Sequence, residues 1–312
     1  MTRNWIIWIA IIILCYLVDG NFLVFQSFYA SYNKYKPNSV LVAKDGTTTN
    51  GVHVFFQTLF KLMRLYNPTH MFIAFDAKGK TKRHEVYDNY KAGREKAPEI
   101  IFEQFDLTKK ILSAMNIKWF EKVGYEADDL IATIAKHNNQ FKNYIYSKDK
   151  DLLQLVNENN CIIKVVRNPG NFTEYSLETI NEFVDIYGIN PNQIPDYKGL
   201  AGDTSDRLKG VAGIGPKKAV SLLNEFGSLE AIYENIGKIS GKTKEYLEND
   251  YESAHFCKKL AILNPDVEMN TDIDNYKIVL NRNEAEEILS EFGFYNVLDT
   301  YINVFLPKYK SA

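Results

Sequence analysis

An α/β fold, with a mostly parallel sheet flanked by helices, is predicted for this chain by three short apolar runs. Leu14-Cys15-Tyr16-Leu17-Val18, His70-Met71-Phe72-Ile73-Ala74-Phe75 and Tyr144-Ile145-Tyr146 have the brevity and the aromatic, β-branched content of buried strands. Segments of helical periodicity separate them, which is the pattern of parallel strands joined by crossovers. Each run leads to an aspartate: Asp19, Asp76 and, after Ser147-Lys148, Asp149. An Asp after a strand is usually a turn residue. Three at three strand ends mark a candidate site, because ligands of open α/β sheets sit there.

A fourth acidic feature is Gly124-Tyr125-Glu126-Ala127-Asp128-Asp129-Leu130, which opens the apolar-periodic run Leu130, Ile131, Ile134, Ala135. Carboxylates in a first helical turn complement the macrodipole, so ordinary helix initiation explains it when taken alone. Two unit charges about 4 Å apart interact by roughly 4 kcal/mol at an effective dielectric near 20. Acids gathered from four places must therefore take up protons or hold cations, and the second case is a metal site.

Composition frames the reading. At 312 residues, 46% hydrophobic and 24% charged, the chain is globular with room for a large core. A net charge of −2 neither requires nor excludes a nucleic-acid partner. Cys15, Cys161 and Cys257 are far apart with no Cys-x-x-Cys, which suits reduced thiols and argues against structural zinc or a disulfide framework.

Residues 5–18 are almost unbroken in their apolar character. As a helix they would span roughly 21 Å, short of the hydrocarbon core of about 30 Å. Arg3 before them makes a signal peptide the rival reading, but no small-x-small cleavage site follows and Leu14 before Cys15 is too bulky for a lipoprotein site. If 14–18 is a strand, too little remains to span a membrane. Residues 1–13 are thus expected to be an apolar extension of a cytoplasmic protein without stable membrane association. Helical runs follow at 22–32 and 52–66, and another is expected at 177–187.

Residues 78–96 carry Lys78, Lys80, Lys82, Arg83, Lys91, Arg94 and Lys96 against Glu85, Asp88 and Glu95, with Tyr87 and Tyr90 interleaved. Such runs are usually solvated faces; beside a carboxylate pocket, this one reads as a phosphate-tracking surface with rings to stack bases. Farther on, Gly202-Asp203-Thr204-Ser205-Asp206 precedes Gly213-Ile214-Gly215-Pro216-Lys217-Lys218-Ala219 and a helix through Leu222, Leu223 and Phe226. Gly-x-Gly before a helix carrying two lysines is an anion site, and Pro216 suits a first helical position. The motif reads as a helix-hairpin-helix gripping a nucleic-acid backbone. A dinucleotide site would need a third glycine and a preceding strand.

Taken in order, these motifs resemble the 5′-to-3′ exonuclease (flap endonuclease) family, in the bacterial form found at the N-terminus of DNA polymerase I. The resemblance runs from about Leu14 to the C-terminus, through Leu17-Val18-Asp19-Gly20-Asn21, Phe75-Asp76-Ala77, Arg83-His84-Glu85, Tyr90-Lys91-Ala92-Gly93-Arg94, Lys148-Asp149-Lys150-Asp151 and the acidic motifs at 126–129 and 203–206. It implies a PIN-like, resolvase-like fold with a helical arch near 78–100 and a stand-alone, monomeric enzyme. It also implies two or more Mg²⁺ or Mn²⁺ ions. Asp19, Asp76, Glu126 and Asp128 would hold the first, Asp149, Asp151 and Asp203 the second, with Asp129 and Asp206 acting through water. Lys91 and Arg94 would steady the scissile phosphate, and Arg83 would bind DNA. Tyr90 would stack a base, and Gly213, Gly215, Lys217 and Lys218 would hold the duplex, with K⁺ a further candidate at the hairpin. The substrates implied are DNA 5′ ends and 5′ flaps, with RNA–DNA primers a candidate.

The expected domains are a catalytic unit at 14–195, a hairpin subdomain at 196–265 and a C-terminal segment at 266–312 packing on the catalytic unit. Two departures stand out. Arg207-Leu208-Lys209-Gly210 replaces the family's usual Asn-(Ile or Leu)-Pro-Gly, and Gln26 stands where arginine is common. The alternatives are an idle duplex-binding module and a PIN-like ribonuclease. All nine acids argue against the first, since an idle binder gains nothing from a repulsive cluster, and the hairpin argues against the second.

Overall fold

The computed structural model describes residues 13–33, 35, 40–93, 97–167 and 173–309. Its centre is a six-stranded sheet of β1 (Leu14–Asp19), β2 (His70–Phe75), β3 (Trp119–Glu121), β4 (Lys142–Tyr146), β5 (Asn160–Arg167) and β6 (Thr173–Glu178), in the order β3-β2-β1-β4-β5-β6. All neighbours are parallel except β5 and β6, which run antiparallel. The chain builds outward from β1 through β2 to β3, then crosses back to place β4 on the other side of β1. That reversal is the switch point where the sheet opens a crevice at its carboxyl edge.

The sheet is covered on both faces, and side-chain alternation divides the core accordingly. Tyr16 and Val18 of β1 and Met71, Ile73 and Phe75 of β2 point to one face, under helices Gly20–Ser31, Asn50–Tyr66 and Ile100–Ala114. Cys15, Leu17, Phe72 and Ala74 point to the other, under helix Ala127–His137 and the C-terminal helices that begin at Ile194. Fully burying one such side chain contributes about 1.5–3 kcal/mol, so a strand buried on both faces needs no polar residue before its end. Gly20 follows Asp19 directly, and a Cβ there would lie 2.5 Å from the Phe75 ring, so the first helix can start against β2 only with glycine.

Several expectations shift. The helix expected at 177–187 begins at Ile180; Thr179 caps it in a reciprocal box with Glu182, and Leu177 belongs to β6. In place of a helical arch, the described part of 78–100 holds only the five-residue helix Lys82–Val86 and turns through Gly93. The segment lacks the apolar periodicity that would hold a longer helix against a core. The expected boundary at 195/196 falls inside helix Ile194–Ala201. At the C-terminus, Ile278, Leu280, Leu289, Tyr301 and Phe305 join the first core face. The expected apolar extension lies outside the described residues, apart from Ile13. Among the described residues no helix is long and apolar enough to cross a membrane.

Candidate active site

The carboxyl edge of the sheet gathers the acids. Asp19 ends β1 and caps the following helix, its Oδ1 accepting from Phe22 N–H at 2.9 Å and its Oδ2 from the Ser147 hydroxyl at 2.7 Å. Asp76 follows β2; its Oδ1 accepts from Ala127 N–H at 2.7 Å and its Oδ2 from the Asn21 amide at 2.9 Å. Helix Ala127–His137 starts with a reciprocal box between Glu126 and Asp129, so the helix-initiation role of these acids is real. Helix initiation does not explain their other partners. Asp19, Asp76, Glu126, Asp128 and Asp149 line one cavity of about 300 Å³, with Lys91 in its wall. Asp149, expected among the second group, thus faces the first.

Three cations neutralise the cluster. Arg83 reaches Glu126 at 2.9 Å, Asp128 at 3.5 Å and Asp129 at 2.7 Å. Lys91 Nζ lies 3.0 Å from Glu126 Oε2. On the other side Lys198, only 4% exposed, forms ion pairs with Asp151, with Asp203 at 2.7 Å and with Asp206 at 3.9 Å. Sequence reasoning missed Lys198, although a lysine on the apolar helix ahead of an acidic loop was a visible signal. It also missed Asn21 and Ser147, which orient Asp76 and Asp19.

The titration behaviour follows from this crowding. Asp19 is half-buried by surface but packed round by protein away from the cavity; that enclosure, with the charges of Asp76 and Asp149, pushes its pKa up to about 7 against the bonds from Phe22 and Ser147. Asp151 and Asp203 share Lys198 yet move oppositely. Burial outweighs the lysine at Asp151, which rises to about 7. At the more open Asp203 burial works upward too, but Lys198 and two bonds from Ser205 outweigh it and bring the pKa down to about 2. Burial raises Asp128 well above the usual carboxylate range, whereas Lys91 and Arg83 overcome burial at Glu126 and lower it.

Two predicted DNA contacts are corrected. Arg83 was expected to bind DNA, but it is committed to three carboxylates and to the Leu260 carbonyl at 3.1 Å. Tyr90 was expected to stack a base, but it is 2% exposed, donating to Glu126 at 3.2 Å and meeting the His84 ring edge-on. Arg94 lies outside the described residues. Gln26 turns inward and accepts from the Tyr146 hydroxyl at 2.6 Å, so no phosphate contact is lost to solvent there. At the hairpin, helix Pro216–Phe226 starts at Pro216 as read, with Lys217 exposed and Lys218 half-buried behind it. Gly213 has φ +79°, and a Cβ there would strike the Tyr246 ring, while Gly215 is open on all sides.

The donor chemistry fits hard divalent cations: every candidate ligand is a carboxylate oxygen, and the cluster already requires positive charge. With the oxygens taken by Arg83, Lys91, Lys198 and local hydrogen-bond donors, no three acidic, His or Cys side chains among the described residues converge at metal-ligating spacing. Loading ions would therefore require those side chains to turn.

Fold and site together define a nuclease of the resolvase-like α/β class, with its acids at the switch point of the sheet. The sequence matches the family described as 5′-3′ exonuclease, N-terminal resolvase-like domain, over residues 14–186, and its C-terminal SAM fold over 189–284. The chain belongs to the 5′-3′ exonuclease family. It is 38% identical to a 5′-3′ exonuclease of Mycoplasmopsis pulmonis, covering 90% of each chain, and 35% identical to one of Aquifex aeolicus, covering 93% and 96%. It is 36% identical to Bacillus subtilis DNA polymerase I, covering 91% of this chain and 32% of that protein. Among solved structures, bacteriophage T5 D15 protein co-crystallised with metal ions shares the fold at TM-score 0.63 and 19% identity, covering 92% and 96%.

Proposed function

We propose that this chain hydrolyses DNA phosphodiester bonds at 5′ ends and 5′ flaps, with Mg²⁺ or Mn²⁺ as cofactor, as a monomer in the cytoplasm. RNA–DNA primers are a further substrate of the same chemistry. The observation that carries this reading is the convergence of acids from four separate elements on the sheet's switch point, lining one cavity. The three described-buried free thiols agree with a reducing compartment.

Asp19, Asp76, Glu126 and Asp128 would hold one ion, and Asp149, Asp151 and Asp203 a second, with Asp129 and Asp206 bridging through water. Divalent ions bound there supply Lewis acidity at phosphate oxygens and make water acidic enough to attack. The remaining work belongs to the chain. Lys91 brings an ammonium into the cavity wall, where it can turn from Glu126 to the negative charge growing on phosphorus. Lys217 and Lys218, with the backbone at Gly213 to Gly215, grip the flanking duplex at its phosphates, where K⁺ is a candidate companion ion. Asn21 and Ser147 brace the Asp76 and Asp19 carboxylates at the rim of the cavity.

The test is digestion of 5′-labelled flap, nicked and blunt duplexes in Mg²⁺ by the wild type and by Asp149→Ala. Wild-type cleavage that disappears in EDTA and in the variant, with the variant still binding DNA, is expected. Absence of wild-type cleavage, or a variant cutting at wild-type rate, would contradict the proposal.

A further inference from the structure

Among the described residues four non-glycine residues have positive φ: Asn67, Lys91, Asn116 and Arg207. Asparagine tolerates the left-handed region; lysine and arginine hold it at a cost of order 1–3 kcal/mol, which local packing must offset. Both strained cations lie at one seam, between the turn that carries Lys91 and the loop that carries Asp203 and Asp206. The seam is closed by backbone and ring contacts. Lys91 N–H points to the Asp206 carbonyl at 3.5 Å, the Tyr87 hydroxyl donates to the Arg207 carbonyl at 3.2 Å, and Tyr87 meets Phe256 edge-on at 5.4 Å. Leu208, Cys257 and Leu260 form a small apolar cluster beneath it.

The Arg207 guanidinium lies on Gly93. A Cβ at Gly93 would run into it, and Gly93 itself has φ +80°, so glycine is required there twice over. Arg207 is exposed, and among the described residues its guanidinium has no hydrogen-bond or ion-pair partner. It lines a groove of about 490 Å³ together with Lys209, Asp250 and Glu252. Arg83, Lys91 and Lys198 are all occupied by carboxylates, whereas Arg207, among the described residues, is open to an outside ligand.

We propose that Arg207 is a substrate-binding residue that takes a phosphate of the DNA strand passing the seam between Gly93 and the acidic loop. This rests on the proposed nuclease reading. The planar fork suits bidentate phosphate contact, which lysine reproduces only as a point charge. The contacts that offset the strain at Arg207 keep the fork against the turn that bears Lys91, so strand and reacting cation are held by one seam.

The experiment compares wild type, Arg207→Asn and Arg207→Lys, since asparagine accepts the left-handed backbone and spares folding. Affinity for a 5′-flap DNA is measured in Ca²⁺ across a salt series, beside single-turnover cleavage in Mg²⁺. Arg207→Asn is expected to weaken binding about 10- to 150-fold near 0.1 M salt, the worth of one hydrogen bond to a charged group. Its slope of log K against log salt should flatten by about 0.7–0.9, the value for one phosphate. Arg207→Lys should restore the slope and only part of the affinity. A wild type that cleaves while Arg207→Asn keeps wild-type affinity and slope overturns this proposal alone, as does a loss confined to the saturated cleavage rate. A wild type that leaves DNA uncut overturns the functional reading as well.

Discussion

The two carboxylate groups of the site are neutralised from different places. The first, around Asp19, Asp76, Glu126 and Asp128, borrows Arg83 and Lys91 from the stretch 82–91 after β2, a five-residue helix followed by turns. The second, Asp151, Asp203 and Asp206, is balanced by Lys198 from a buried helix. Cations on a surface segment can leave when a substrate brings its own partners. A lysine rooted in the core stays near its acids throughout. The difference suggests that the first group is the one built to exchange its counter-charge for substrate, while the second is held together by the fold.

That contrast can be broken most directly by removing the cations. Replacing one member of a buried charge cluster costs about 3–5 kcal/mol, because it leaves the partners uncompensated. Lys198→Met should lose stability in that range when unfolded by urea in EDTA. Arg83→Met should lose less, since the first group opens onto a cavity that water can fill. Added Mn²⁺ should restore much of the Lys198→Met loss. Equal losses in both variants would remove the distinction. Next in size, Asn21→Ala frees the Asp76 carboxylate and should slow single-turnover cleavage about 10- to 100-fold, the usual cost of an outer partner of a ligand; a rate within twofold of wild type would show that Asp76 needs no brace.

The pH dependence sharpens the same picture. Asp19 and Asp151 have folded pKa values raised to about 7, from an unfolded value near 3.8. Between these values the folded chain binds more protons than the unfolded one, so stability falls as pH rises through that window. The slope is at most about 1.4 kcal/mol per pH unit for each group. Urea midpoints in EDTA should decline from about pH 4 to 7, and Mn²⁺ should flatten the decline. A stability that rises across this window without metal would mean the acids are better compensated than the geometry shows. The smallest effect belongs to the hairpin: Lys217→Ala with Lys218→Ala should flatten the salt dependence of duplex binding by about 1–2 in slope without moving the urea midpoint.

How much of this was legible in the sequence depended on the kind of signal. β1, β2 and β4 were legible because strands buried on both faces leave continuous apolar runs, and their ends gave Asp19, Asp76 and Asp149. β6 was not, because Thr173–Glu178 is an edge strand of mixed polarity and reads as loop. β3 has only three residues. The acids stand in motifs that are visible in the sequence, whereas their partners were not legible there. A basic run looks the same whether it meets phosphate or carboxylate, so Arg83 and Tyr90 were assigned outward when both face the acids. Lys198 stands with Asp196 on a short, otherwise apolar helix outside every motif, so it drew no functional reading.

The most direct measurement is Mn²⁺ binding by calorimetry, with cleavage of a 5′-flap duplex followed in parallel, for wild type, Asp76→Asn and Asp203→Asn. The expected result is two ions per wild-type chain, one lost in each variant, and cleavage abolished in both while DNA affinity stays equal or rises. Wild-type binding of no Mn²⁺, or near wild-type cleavage by either variant, would contradict a metal-dependent site built from these acids.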